Sequence, residues 1–192
     1  MRALAILLAL ALAAAIWALP LDAWAGAAFP AHMLRHMALV AVIAPLLVLG
    51  APRLADRIAL SPLVAAAVEF VVVWAWHLPA AHALSFLRDA GFVAEQASFL
   101  AAGLVVWAGC LRAREPLAGA GGLLLTSMHM TLLGALLVLA PRDLYAEICG
   151  TAPDLGGQQL GGLLMLGIGT PVYLVAGLAL SGRALSDREA GA

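Results

Sequence analysis

With 192 residues, 65% of them hydrophobic and 11% charged, at a mean hydropathy of +1.04, the chain has too little polar surface to cover a water-soluble fold, which is nearer about half apolar and a quarter charged. Its ten basic residues, all arginine, nearly cancel eleven acids, which removes the basic field that nucleic acid requires and any polybasic segment for anionic lipid. Two cysteines, Cys110 and Cys149, are too few for a disulfide framework and lack the paired spacing of a zinc or redox motif.

Apolar runs near the length of about 20 residues that a helix needs to cross a bilayer core while satisfying its own backbone recur six times. The predicted spans are residues 3–19, ending at Pro20; 32–50, with a kink at Pro45; 61–78, interrupted by Glu69; 92–111; 121–140, around His129; and 160–180, with Gly167, Gly169 and Pro171 inside. They make one all-α transmembrane domain over residues 1–192, a polytopic bundle of about six helices without internal repeats. The first run has a second reading as a cleaved signal peptide, because Arg2, the apolar stretch and Ala23-Trp24-Ala25 resemble its three regions. A retained helix is preferred: the run exceeds a usual signal core, and Trp24 is bulky between the two small positions.

Arginine sets the orientation, since cytoplasmic loops carry the excess. Arg2, Arg53, Arg57, Arg112, Arg114, Arg183 and Arg188 share one side of a six-helix path, against Arg35, Arg88 and Arg142 on the other. Both termini are therefore predicted cytoplasmic.

That topology gathers scattered polar residues at the outer side. His32-Met33-Leu34-Arg35-His36-Met37 opens the second span there; at about 100° per residue its two His lie about 40° apart, and the two Met extend the arc to about 140°. The third span delivers Trp76-His77-Leu78-Pro79 to the same level, and Glu95 enters the fourth from that side. His82 falls just beyond Pro79, where a solvated loop residue needs no partner. His129 lies deeper on the fifth span, and its neighbours Met128 and Met130, about 100° to either side, read as packing. Glu69 sits mid-helix two turns below His77, where a lone carboxylate is protonated or paired. Gln158 and Gln159 cap the last span or line the mouth of the site.

Imidazole with thioether and no thiolate pair suits copper, particularly Cu(I), whereas zinc more often brings Cys or carboxylates. The expected metal ligands are His32, His36, His77, His129, Met33 and Met37, with Glu69, Glu95, Gln158 and Gln159 as supporting polar groups. Two alternatives use the same residues: a haem between His36 and His129 on facing helices, and a copper permease with Glu69 and His129 below the outer cluster. No Ser or Cys stands at a motif spacing with a base, so no enzyme is expected.

In order and spacing, His32-Met33 and His36-Met37, Ala44-Pro45-Leu46-Leu47, Trp76-His77-Leu78-Pro79, Glu95 followed by Ala97-Ser98-Phe99-Leu100-Ala101-Ala102-Gly103, Met128-His129, Ala140-Pro141 with Leu144-Tyr145, and Gln158-Gln159-Leu160-Gly161-Gly162 resemble the CtaG-type membrane-integral assembly factors of bacterial cytochrome c oxidase, associated with caa-type oxidases. The resemblance implies a multi-pass protein of the bacterial inner membrane that matures the oxidase, with oxidase subunits as partners and copper as the metal handled on the outer side. Two positions depart from the family pattern: Gly157, where an acid commonly precedes the Gln-Gln pair, and Gln96, where a His commonly follows the glutamate.

Overall fold

Proline opens four of the helices. Pro52, Pro62, Pro79 and Pro116 each stand in the first turn of a helix, where the missing N–H is one that the helix would leave unpaired anyway. The computed structural model describes residues 1–190, with side chains through 187, and is 86% helix with no strand among the described residues. In chain order the helices are α1 (Arg2–Ala18), α2 (Leu21–Ala25), α3 (Ala28–Met37), α4 (Ala44–Gly50), α5 (Pro52–Ile58), α6 (Pro62–His77), α7 (Pro79–Leu87), α8 (Asp89–Leu111), α9 (Pro116–Leu139), α10 (Ala146–Cys149), α11 (Leu155–Leu164) and α12 (Thr170–Ala190). A π-turn, Ala38–Ile43, joins α3 to α4, and a second, Met165–Gly169, joins α11 to α12.

Among the described residues, four continuous helices are long and apolar enough to cross a membrane: Ala28–Gly50, Asp89–Leu111, Pro116–Leu139 and Leu155–Asp187. Pro52–Ile58 and Pro62–His77 make a fifth together, bent by 85° at their junction. The remaining apolar run is α1, whose 17 residues reach about 26 Å, somewhat short of a core of about 30 Å. It packs on α4 and the first π-turn, buries Ala9 and Ile16, and leaves Leu4, Leu7, Leu10 and Trp17 outward. The helices overrun the apolar runs at their ends: α9 starts at Pro116 rather than 121, and α11 at Leu155 rather than 160. Apolarity marks the part of a helix that lipid demands, whereas the cap marks where the backbone begins to coil; here the Asp154 carboxylate accepts the Gly157 N–H at 2.8 Å.

The centre of the bundle is α9, with α6, α8, α11 and α12 packed along it. Small residues set the spacing: a Cβ on Gly162 would stand 2.7 Å from the Gly134 carbonyl oxygen, so only glycine lets α9 and α11 approach this closely. The kink expected at Pro45 is a π-turn instead, and Pro171 likewise follows the second π-turn two residues after its end. One end of the bundle gathers Arg2 beside Gly50, the Arg112–Asp56 ion pair at 2.5 Å, and Leu180 beside Gly119. The two ends of the helical path thus lie at the same end of the molecule. The side chain of Arg188, part of the charge count, lies outside the described residues.

Candidate functional site

At the opposite end, three polar segments converge on one carboxylate. Glu95, on the second turn of α8, is fully buried. His32 Nε2 lies 3.1 Å from both of its oxygens, and His36 Nε2, one turn further along α3, lies 3.4 Å from Oε2. The Gln96 amide donates to the same oxygen at 3.3 Å. The two imidazoles meet edge to face at 4.3 Å between centroids, and the His36 ring lies flat on Phe99 at 4.0 Å. Neither His36 nitrogen makes a hydrogen bond, although the residue is 1% exposed.

His77, at the C-terminal end of α6, stands 6.1 Å from His36 between ring centroids. Its Nδ1 lies 2.6 Å from the Val73 carbonyl, an acceptor only, so the proton is on Nδ1 and the lone pair on Nε2. That Nε2 is buried without a partner. A backbone carbonyl holding one imidazole nitrogen so that the other presents its lone pair is the usual outer-shell arrangement of a metal-binding histidine.

The solvated loop expected around His82 is a helix, and His82 is 4% exposed. Pro79 starts α7 as its first residue and turns the chain back over the cluster. There the His82 ring meets His32 at 5.1 Å, Tyr145 at 4.4 Å and Phe29 at 5.4 Å. One ligand atom from each of His32, His82 and Glu95 lies within 4.8 Å of the others; bonds of about 2.0–2.2 Å to a common ion hold donors no more than about 4.4 Å apart, a spacing that small side-chain shifts bring within reach. Burial, with His32 beside it, pushes the His82 imidazole down to about 3, so it is neutral and its lone pair is free. Nothing in the period of a helix would have found this residue; the signal was Pro79, which starts a helix as readily as it ends one.

The loop between α9 and α11 closes over these rings. Asp143 accepts the N–H groups of Tyr145, Ala146 and Asp154 at 2.8–3.0 Å; burial works against its charge, but those three donors hold its carboxyl below the ordinary aspartate range. Tyr145, stacked on Phe29, donates to the His77 carbonyl at 3.0 Å. Gln158 accepts the Leu144 N–H at 2.7 Å and donates to the Leu137 and Arg142 carbonyls, while Gln159 donates to Val138. Gln158 thus fastens the loop to α9, and Gln159 fastens α11 to α9. Between this loop, α3 and α7 lies a cavity of about 430 Å³, lined among others by Phe29, His32, Arg35, His82, Asp143 and Tyr145, giving the cluster an open approach.

Four expected site residues are elsewhere. Met33 packs its stem against Gly161 and Met37 its sulfur against Gly169, so both serve the contact with the last span. His129, on α9, meets Phe70 edge to face at 5.4 Å and lies outside the cluster, with both nitrogens unpaired. Glu69 is fully buried with Tyr173 at 2.5 Å. At the departure positions, Gly157 is the N–H that Asp154 caps, and Gln96 supports Glu95.

No curated protein and no solved structure matches this chain. A family model described as cytochrome c oxidase caa3 assembly factor (Caa3_CtaG) matches residues 1–187, nearly its full length and all of the residues that build the cluster. The chain belongs to the cytochrome c oxidase caa3 assembly factor family.

Proposed function

We propose that this assembly factor carries copper for the oxidase, held on His32, His36, His77 and His82 with Glu95 and passed through the cavity above them to an oxidase subunit. The observation that carries the reading is the Glu95 carboxylate, buried between two imidazoles and within one ion's reach of a third, in a part of the bundle where unpaired ionisable groups are costly. Such groups are kept for a ligand or a partner, and among the described residues His36 Nδ1 and His77 Nε2 have no hydrogen bond while His36 Nε2 has only the Glu95 carboxylate at 3.4 Å.

The proposed donor set is nitrogen and oxygen, since the Met37 sulfur lies against Gly169 and the Met33 stem against Gly161 of the last span. Imidazole serves copper in either oxidation state, and the carboxylate shifts the set toward Cu(II). Imidazole ligands bring no charge, so with one carboxylate a bound Cu(II) ion is only partly compensated, which suits cargo that must be released. The cavity above His32 and His82 gives a partner's ligands a route to displace these residues one at a time. In this reading the cavity faces outward, both termini are cytoplasmic, and reporter fusions after Gly50 and after Arg114 read cytoplasm.

The test is metal analysis of the protein in mild detergent after separate loading with Cu(I), Cu(II) and Zn(II) and desalting. Copper retained near one ion per chain by the wild type and lost in His36→Ala supports the reading. Zinc retained in preference to copper, or iron with a Soret band, overturns it.

A further inference from the structure

A second buried polar group lies in the middle of the bundle, and proton counting defines it. It begins with the π-turn. In an α-helix the Val40 carbonyl would accept the Ala44 N–H, but that N–H goes to Leu39. In π register the donor would be residue 45, and Pro45 has no N–H. The Val40 carbonyl is therefore left without a main-chain donor from its own helix and is served by side chains: the Trp107 indole N–H at 2.7 Å and the Tyr173 hydroxyl at 3.2 Å. The same hydroxyl lies 2.5 Å from Glu69 Oε1.

Tyr173 has one proton and two acceptors. If Glu69 is a carboxylate, the phenol must donate to it, and Val40 keeps Trp107 alone. If Glu69 is a carboxylic acid, its O–H donates to the phenol oxygen and the phenol donates to Val40, so the phenol and the carbonyl both keep a partner and the buried Oε2, which has none, carries no charge. The surroundings decide between these. Both Glu69 and Tyr173 are fully buried. From α9 the Thr126 hydroxyl and from α12 the Tyr173 phenol face Glu69, and the Cys110 thiol of α8 lies further off, against Gly122; no Arg or His faces it among the described residues. An unpaired buried charge is far more costly than a neutral acid with a hydrogen-bond partner.

We propose that Glu69 and Tyr173 form a buried proton-holding site, in which Glu69 is a neutral carboxylic acid donating to Tyr173 and Tyr173 donates to the Val40 carbonyl. The ligand is a proton. Its effect is on the backbone, because Val40 lies one helical turn beyond His36 in the same span and the π-turn follows directly from the segment that carries His32 and His36. With the proton in place the π-turn keeps both side-chain donors. When the proton leaves, Tyr173 turns to the carboxylate and the turn keeps one. The pair itself needs no metal.

Infrared spectroscopy of the full-length protein in detergent, in H2O and D2O, tests this through the C=O stretch of a protonated carboxylic acid. The expected wild-type band is present at neutral pH, shifts in D2O and disappears in Glu69→Gln, a substitution that keeps a neutral donor for Tyr173. Tyr173→Phe removes the acid's acceptor and moves the band to higher frequency. Absence of the band at neutral pH, or its survival in Glu69→Gln, overturns the proposal. If Glu69→Gln does not yield folded protein, Tyr173→Phe decides alone: a shifted band supports the site, and a band unmoved by loss of the phenol overturns it.

Discussion

Glu69 and Glu95 are the same side chain, equally hidden from solvent, one in mid-bundle and the other near one end, yet they are built for different chemistry. Glu95 is surrounded by imidazoles, with His32 at 3.1 Å and His36 at 3.4 Å, and a cavity opens beside it. Glu69 instead has hydroxyl neighbours, with Tyr173 as its one hydrogen-bond partner among the described residues. Basic neighbours make a buried carboxyl a ligand or a counter-ion, whereas hydroxyl neighbours make it a neutral hydrogen-bond donor. Burial alone distinguishes nothing here; the partners do.

The same substitution at both positions should therefore give opposite results, and this is the largest effect expected. Glu95→Gln removes the negative charge that His32 and His36 share and leaves two buried imidazoles facing an amide. Copper retention should fall by at least tenfold, and stability by about 3 kcal/mol, as when one partner of a buried pair is removed. Glu69→Gln exchanges one neutral donor for another and should cost less than about 1 kcal/mol. Metal content and thermal unfolding followed by size-exclusion chromatography measure both. Equal losses at the two positions would mean that Glu69 is charged, or that Glu95 is not a ligand.

A second contrast sets His82 against His129, two buried histidines in different surroundings. His82→Ala removes a ring in contact with His32 and Tyr145 and should lower copper retention about tenfold, the low end of the range for changes around a metal site. His129→Ala removes a ring that meets only Phe70 among the aromatic and imidazole rings and should leave retention unchanged. Because His82 is already neutral, protons do not compete for it near neutral pH, and the deficit should be the same at pH 6 and pH 8. A His129 variant that loses copper would move the site to mid-bundle.

A smaller effect is expected at the loop that covers the cluster. The Asp143 carboxylate holds three N–H groups, and its folded value lies below the ordinary range. Its contribution is therefore complete above the unfolded aspartate value and lost as pH falls through the folded one. Asp143→Asn should weaken these bonds, loosen Tyr145 over His77 and His82, and speed copper loss about two- to threefold while the bundle stays folded, since a neutral hydrogen bond falls short of a charge-assisted one by about 1 kcal/mol. Dissociation rates into a chelator provide the measurement. At acid pH the wild type should approach the variant.

How much of this could be read from the sequence follows the range of each interaction. Helical spans and the meeting of His32, His36, His77 and Glu95 at one level were legible, because each follows from a local period and from counting helices across a membrane. His82 was not, because Pro79 signals both the end of one helix and the start of another, and only the folded chain shows that α7 turns back over His32. Tyr173 as the partner of Glu69 lies 104 residues away, and nothing local links the two. The π-turns were equally hidden. Pro45 marked a disturbance, but its form depends on Trp107 and Tyr173 being in place to take the freed carbonyl.

The smallest expected effect concerns the methionines, where an arc drawn at 100° per residue misleads. Met33 and Met37 lie next to His32 and His36 in sequence, and the helical arc extends through all four. Placement on an arc does not decide which neighbouring helix each side chain meets. The histidines meet Glu95 of α8, while Met33 and Met37 fill the space that Gly161 and Gly169 leave on the last span. Both are fully buried, which accounts for an unbranched, adaptable side chain at each position without any role for sulfur. Leucine conserves nearly the same volume, so Met37→Leu should cost under about 1.5 kcal/mol and leave Cu(I) retention within about twofold of wild type, measured by competition with a Cu(I) chelator. A loss of tenfold or more, with the fold intact, would make the Met37 thioether a ligand, and the span carrying Gly169 would then have to move away from it when copper binds.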